Sequence, residues 1–235
     1  MFTESADVYD AIYSFKDYAA EAAQVAGLVR VLNPEARTVL DIACGTGEHA
    51  RHLGAKHGFE VDGLDLDAGL LRVARKKHPM GHFFQADMSE FALEWRYDVL
   101  VCLFSSIGYL VTLERIRRAL TCFREHLSEG GVSLVEPWFP PGGLDDGRVF
   151  RQVGMYLGRA VERVSRNEID DRISRLHFDY SIDTPEGIRR VSEVHELGLF
   201  TADEMAGAFH RAGLRAEFDP VGLTGRGLWV ARSAA

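Results

Sequence analysis

Three carboxylates follow one another through the first half of the chain, each at the end of a short apolar run. They are Asp41 in Val39-Leu40-Asp41-Ile42, Asp65, and Asp87 after His82-Phe83-Phe84-Gln85-Ala86. The first run leads straight into Ala43-Cys44-Gly45-Thr46-Gly47, a glycine turn followed by a helical pattern. A glycine turn between strand and helix lets a ligand lie against the backbone, because glycine has no Cβ and tolerates positive φ. Asp65 falls twenty positions after Gly45, where its two acceptor oxygens suit a pair of ribose hydroxyls. Asp87 offers an acceptor for an exocyclic amine, and the Met88 amide a donor for a ring nitrogen. Holding a nucleoside is the chemistry this set suggests. The turn alone is ambiguous, since Gly45, Gly47 and Ala50 also satisfy the G-x-G-x-x-[GA] pattern of a dinucleotide fold. Asp87-Met88 has no particular use in a dinucleotide domain.

The elements that must position these residues alternate. Helical patterns over 47–57, 67–77 and 113–127 follow the strands, and a fourth strand, Tyr97 to Phe104, ends at Ser105-Ser106. A fifth strand runs from Val132 to Val135 after Gly130-Gly131, and a helix over 16–32 precedes the first strand. Helices of this length between strands imply right-handed crossovers and a doubly wound, mostly parallel sheet of seven strands. Ligands on such sheets bind at the carboxyl ends of the strands, where the three acids fall. Asp67, just past Asp65, is the better candidate for a helix N-cap.

From about Met155 to Phe200 the alternation of helices and strands stops. Leu176, Phe178, Tyr180 and Ile182 alternate with Arg175, His177, Asp179 and Ser181, the period of a strand with one wet face. Asn167 to Asp171 reads as the turn into this strand and Asp183 to Gly187 as the turn out. The division expected is a core of 1–144 and 201–235 with a small antiparallel β cap, 145–200, inserted after strand five over the ligand edge. Thr201-Ala202-Asp203-Glu204 is a capping-box signature opening a further helix, and short strands over 214–219 and 227–232 close the chain.

Composition bounds the function. The chain has 235 residues, enough for one substantial α/β domain, with 46% hydrophobic and 26% charged residues. A formal charge of −8 argues against a protein that binds nucleic-acid backbones. No apolar run reaches the length of a membrane span, and the start of the chain lacks a signal-peptide layout. The three cysteines, Cys44, Cys102 and Cys122, have no metal-ligand spacing. They suit a reducing, cytoplasmic compartment, and no metal is expected. An antiparallel cap is compatible with a homodimer, though nothing in the sequence requires one.

The glycine turn with its three linked acids resembles the class I S-adenosylmethionine (SAM) methyltransferases. Five further segments resemble one branch of them, the dTDP-amino-sugar N,N-dimethyltransferases that complete desosamine, mycaminose and similar deoxysugars in antibiotic pathways. These are Val8-Tyr9-Asp10, Lys16-Asp17-Tyr18, Phe104-Ser105-Ser106-Ile107-Gly108-Tyr109, Glu136-Pro137-Trp138 and Gly225-Arg226-Gly227-Leu228. The resemblance covers nearly the whole chain. It implies SAM as cofactor, S-adenosylhomocysteine as product, and a dTDP-linked amino deoxysugar as substrate, methylated twice at its amine. Asp41, Ala43, Gly45, Gly47, Asp65, Leu66, Asp87 and Met88 would form the cofactor site, with Tyr9 and Tyr18 closing over it and the Leu103 carbonyl meeting its amino group. Phe104, Ser105, Ser106 and Trp138 would form the acceptor side, with Tyr109 beside the sugar amine and Arg226 on the pyrophosphate. His195 also falls on a family position. The family carries a further tyrosine about eight residues before Val-Tyr-Asp, where this chain has Met1-Phe2-Thr3. That difference leaves the 3-amine and the 4-amine of the sugar both open.

Methyl transfer from a sulfonium has an excellent leaving group, so alignment and desolvation are the protein's main tasks. Tyr109 is expected to orient the amine or relay its proton rather than act as an essential base. Ser105, Ser106 and Gly108 are small enough to leave room for an N-methyl group. Three rivals remain at this point: a methyltransferase of another small molecule without a nucleotide handle, a SAM-binding module without catalysis, and an NAD-dependent oxidoreductase.

Overall fold

The computed structural model describes residues 5–234. Its larger sheet runs β1 (Thr38–Ile42), β2 (Glu60–Asp65), β3 (Phe83–Gln85), β4 (Tyr97–Cys102), β5 (Leu127–Val135), β10 (Leu214–Asp219) and β11 (Leu228–Ser233). In space the order is β10-β11-β5-β4-β1-β2-β3. The five strands from β5 to β3 are mutually parallel, whereas β11 runs antiparallel to both its neighbours. This is the seven-stranded, mostly parallel sheet that the alternation implied.

A parallel sheet covered by helices buries both faces, which is why its central strands read as continuous apolar runs. Along β4 the period of two divides the run: Val99 and Val101 join one core, Leu100 and Cys102 the other. The helices α2 (Tyr18–Leu32) and α3 (Glu48–His57) pack on the first face, α5 (Leu113–His126) and α6 (Ala202–Arg211) on the second. Their starts are set by side chains that satisfy orphan amides. Asp17 accepts from Ala20 N at 2.9 Å, and Asp67 caps α4 (Ala68–Lys77) by accepting from Gly69 N and Leu70 N at 2.8 and 3.1 Å. Thr201 and Glu204 form the reciprocal capping box of α6.

Four antiparallel strands form a separate sheet, ordered β6 (Val149–Tyr156), β7 (Arg159–Asp170), β8 (Ile173–Thr184) and β9 (Gly187–Gly198). The short helix α1 (Tyr9–Ile12) docks against it, and Ile12 and Tyr13 share a buried cluster with Val161, Phe178, Tyr180 and Ile182. The N-terminal segment thereby ties the small sheet to the mouth of the large one.

Several expected boundaries differ, and β4 ends at Cys102 rather than Phe104. α2 starts at Tyr18, because Asp17 caps it. β5 starts at Leu127, passing through Gly130-Gly131 beside a register shift against β4. Residues 167–170 belong to β7, and the turn is Asp171-Arg172, with Asp171 at φ 51°. Asn167 imitated a turn residue because it is polar, yet it is buried and accepts from Ser174 Oγ at 2.7 Å. Among the described residues no helix is long and apolar enough to cross a membrane.

Candidate active site

Between the carboxyl ends of the parallel strands and the inner face of β6–β9 lies a cavity of about 560 Å³. Gly45, Asp65 and Met88 contribute one part of its wall, and Tyr109, Trp138 and Arg226 another. Ala43, Gly45, Leu66, Asp87, Tyr9, Phe104 and Ser106 also reach its wall. Most of the residues singled out from the sequence thus meet in one space, although they come from opposite ends of the chain.

The turn after β1 is held by the acid after β2. Gly45 N donates to Asp65 Oδ2 at 2.8 Å, and Asp67 N to Asp65 Oδ1 at 2.8 Å. Burial raises the Asp65 pKa against the lowering pull of those amides. Gly45 takes φ +57°, and a Cβ there would meet no protein atom within 4 Å, so its backbone is open to the cavity. Gly47 plays another part. It caps α3 with φ 75°, and a Cβ there would lie 3.0 Å from Ala74 Cβ, so it serves packing and is not on the cavity wall.

Asp41 sits behind the wall, 2% exposed, with Oδ2 lacking any hydrogen-bond partner. Burial pushes its pKa up to about 7, with His49 opposing and Asp65 reinforcing the rise. Asp87 accepts from the Ser89 amide and hydroxyl at 2.8 and 2.7 Å and from Arg115 Nη2 at 2.7 Å. Against the opposing pull of burial, Ser89 and Arg115 hold its pKa down. Arg115 went unseen in the sequence because it lies in α5, 28 residues from its partner.

Tyr18 does not reach this cavity. It packs edge-on to His49, with ring centroids 5.0 Å apart, beside a smaller depression shared with Asp10 and Lys16. Leu103 is buried, and its carbonyl accepts from Ser106 N at 3.2 Å and Ser106 Oγ at 2.9 Å. The carbonyl expected to meet the cofactor's amino group is thus already engaged by Ser106, and a ligand amine there would share it.

The turn after β4 is strained. Phe104 and Ser105 take φ of 53° and 61°, a region costly for residues with a Cβ. Polar contacts over-determine it: Phe104 N donates to Glu136 Oε2 at 2.6 Å, and Ser105 Oγ to the Pro137 carbonyl at 2.7 Å. Arg226 Nη1 donates to Ser105 Oγ at 2.8 Å, and its guanidinium lies 5.4 to 5.9 Å from the ring centroids of Phe104, Trp138 and Phe139. Of its flanking glycines, Gly227 is required by space, since a Cβ would lie 2.3 Å from Phe218 Cζ. On the same part of the wall the Tyr109 hydroxyl lies 3.0 Å from His195 Nδ1, and His195 is buried behind it.

Sequence reading missed Arg163. It lies on β7, 4% exposed, and reaches the cavity wall. Nη1 donates to Tyr13 Oη and Nη2 to Gln152 Oε1, both at 2.7 Å, while Nε has no partner. The guanidinium lies 4.7 Å from the Tyr13 ring centroid and 4.5 Å from that of Phe178. Among the described residues no carboxylate pairs with it. The one signal available was a cation at an inward position of β7, between Val161 and Ser165.

Residues 39–131 match the methyltransferase domain family. The chain is 43% identical over 230 residues, 97% of each chain, to the dTDP-3-amino-3,4,6-trideoxy-alpha-D-glucopyranose N,N-dimethyltransferase of Streptomyces venezuelae. It is 38% identical to the dTDP-4-amino-2,3,4,6-tetradeoxy-D-glucose N,N-dimethyltransferase of Saccharopolyspora spinosa, across 97% of this chain and 92% of that one. The chain belongs to the SAM-dependent sugar N,N-dimethyltransferase family. An amino pentose methyltransferase from Micromonospora echinaspora involved in calicheamicin biosynthesis, solved with SAM bound, superposes with a TM-score of 0.84 at 36% identity, covering 95% of both chains. This methyltransferase is therefore an enzyme whose cofactor is SAM, acting on a small molecule. The dinucleotide alternative for the glycine turn falls away, and so does the non-catalytic module.

Proposed function

We propose that this methyltransferase transfers two methyl groups in succession from SAM to the amine of a dTDP-linked amino deoxysugar, in antibiotic or other natural-product biosynthesis. The observation that carries the reading is one cavity of about 560 Å³ whose wall holds both the Asp65 carboxylate, an acceptor for a nucleoside, and the Arg226 guanidinium, a cation for a pyrophosphate. The residues present suit the cofactor: the Gly45 backbone is open, Asp65 has acceptor capacity beyond its two amides, and the buried Asp41 Oδ2 lacks a partner. When bound, SAM supplies an electrophilic methyl group on a sulfonium.

The chain's own residues then bind, align and exclude water. Asp65 takes the ribose hydroxyls, while Asp87, steadied by Ser89 and Arg115, and the Met88 amide read the adenine. Tyr9 and Phe104 cover the methyl-transfer position, and Tyr109 orients the amine with His195 behind it. Arg226 holds the pyrophosphate, a task that suits a guanidinium fork. The 145–200 segment shapes the acceptor side, through Gln152, Arg163 and Phe178. Relatives named for 3-amino and 4-amino sugars are 43% and 38% identical, so the amine's position is left to assay, and Met1-Phe2-Thr3, where the family carries a further tyrosine, lies outside the described residues.

The free cysteines suit the cytoplasm, and the negative net charge argues against nucleic acid as a partner. Val149, Val153 and Met155 stand exposed along β6, which supports a homodimer through the small sheet, readable by light scattering. The deciding experiment is calorimetric titration of S-adenosylhomocysteine and then dTDP, followed by a panel of dTDP-amino sugars assayed by mass. Binding of both with methylation establishes the reading. Cofactor binding without dTDP binding would instead favour a small-molecule acceptor lacking a nucleotide.

A further inference from the structure

A buried hydrogen-bonded line leaves the acceptor end of the cavity. Tyr109 stands on the wall, and its Oη lies 3.0 Å from His195 Nδ1. His195 Nε2 lies 3.3 Å from Glu193 Oε2, and Ser5 Oγ donates to both Glu193 oxygens at 3.1 and 3.0 Å. His195 and Glu193 are 2% and 8% exposed, side by side on the inward face of β9. The His195 ring is also packed against Phe178, with centroids 4.8 Å apart, so it is held in place.

The partners dictate the direction of the bonds. Burial keeps the His195 pKa below its ordinary value, with Glu193 opposing, and so favours the neutral ring. A neutral imidazole between a phenol and a carboxylate satisfies both in one way: Nδ1 accepts from Tyr109, and Nε2–H donates to Glu193. Arg163 of β7 faces the same pair across Phe178, and Tyr180 of β8 stands near Glu193. Burial and the guanidinium work against the imidazolium and Glu193 supports it, so a proton taken up here is held only in passing and is readily given up.

An amine that has accepted a methyl group is an ammonium with no lone pair. A second methyl can reach the same nitrogen only after a proton has left. We propose that Tyr109, His195 and Glu193 carry that proton out of the cavity between the two methyl additions, with Glu193 the positioning residue that makes His195 basic enough to take it. This rests on the reading of the protein as an amino-sugar dimethyltransferase. The step balances. An N–H bond of the bound N-methylammonium breaks as its proton passes to Tyr109 Oη, and the Tyr109 proton passes to His195 Nδ1. The resulting imidazolium is held by the Glu193 carboxylate. The extra proton is released to solvent when the cofactor is exchanged before the second round. No oxidant or co-reactant is required.

The test uses the full chain and its Glu193→Gln variant, which keeps size and loses charge. Mono- and dimethylated products are followed by mass across pH 6.5–9 with a dTDP-amino sugar that the wild type methylates. The variant is expected to slow the second addition roughly tenfold more than the first, a small share of what proton transfer typically contributes. Free monomethyl sugar should then accumulate near neutral pH, and the excess should fade as pH rises and the amine loses its proton in solution. A monomethyl-to-dimethyl ratio equal to wild type at every pH overturns the relay. Histidine ¹⁵N NMR of the wild type is a second test that needs neither activity nor a stable variant. Nδ1 bare and Nε2 protonated at neutral pH supports the line, and the opposite tautomer overturns it. A wild type that methylates no dTDP-amino sugar defeats the functional reading instead, and the NMR result still judges the hydrogen-bond geometry on which the relay depends.

Discussion

Arg226 Nη1 donates to Ser105 Oγ at 2.8 Å across 121 residues of chain, joining the C-terminal glycine loop to the strained turn after β4. The contact places a permanent cation over three aromatic rings at the acceptor end of the cavity. Charge-assisted bonds of this kind contribute about 1.5–3 kcal/mol. Arg226→Ala should therefore weaken dTDP binding by roughly 10- to 100-fold while S-adenosylhomocysteine binds as before. Calorimetric titration of each ligand checks this, and equal loss of both affinities would make Arg226 a structural residue.

Tyr109→Phe removes one hydroxyl and leaves the ring on the cavity wall. The expected loss of methylation rate is about 10- to 100-fold, less than an essential base would cost at the upper end of the range. Steady-state rates by mass, with cofactor binding measured alongside, decide the matter. Activity abolished in a folded variant that still binds cofactor would make Tyr109 the base after all.

Arg163→Met tests a buried guanidinium that no described carboxylate neutralises. A buried cation costs desolvation, so its loss should leave the unliganded protein about as stable as before. Arg163 reaches the cavity wall, so acceptor binding should weaken by about tenfold or more at the strength of a charged hydrogen bond. Thermal melts with and without dTDP read both effects. A drop of more than about 2 kcal/mol with dTDP affinity intact would assign Arg163 to the small sheet's stability, at the size of a large single-site effect.

Asp41→Asn tests the orphaned carboxylate behind the glycine turn. With its folded pKa pushed up to about 7, Asp41 holds a proton in the native state over a pH range where the unfolded chain has lost it. Its contribution therefore makes stability fall as pH rises from about 4 to 7, by at most about 4 kcal/mol. The asparagine variant should lose that slope and be the more stable protein above pH 7. Denaturant melts at several pH values follow the difference, and parallel profiles for the two proteins would show that Asp41 does not titrate in this range.

Much of the fold is written locally. The capping residues Asp17, Asp67 and Thr201 act within a few residues of themselves, and the three acids and the glycine turn are marked by local pattern at strand ends. Strand burial on one face or two has a period that can be read from a single segment. One expectation that failed, the turn at Asn167, did so because a buried polar residue with a partner on the next strand looks like a loop residue until that strand is in place.

The site divides in the same way. Gly45, Asp65 and Asp87 could be read from the chain because each sits at a strand's carboxyl end, a place defined by local pattern. The family likeness extended this to Tyr109 and Arg226. Only the tertiary structure decided that Tyr18 lies outside the cavity, that Leu103 is engaged by Ser106, that Arg115 steadies Asp87, and that Arg163 stands unneutralised at the acceptor end. It also placed Glu193 behind His195 and His195 behind Tyr109, 86 residues away in the chain. A side chain's partner across such distances is chosen by how two sheets converge, and a short window of sequence carries no term for that.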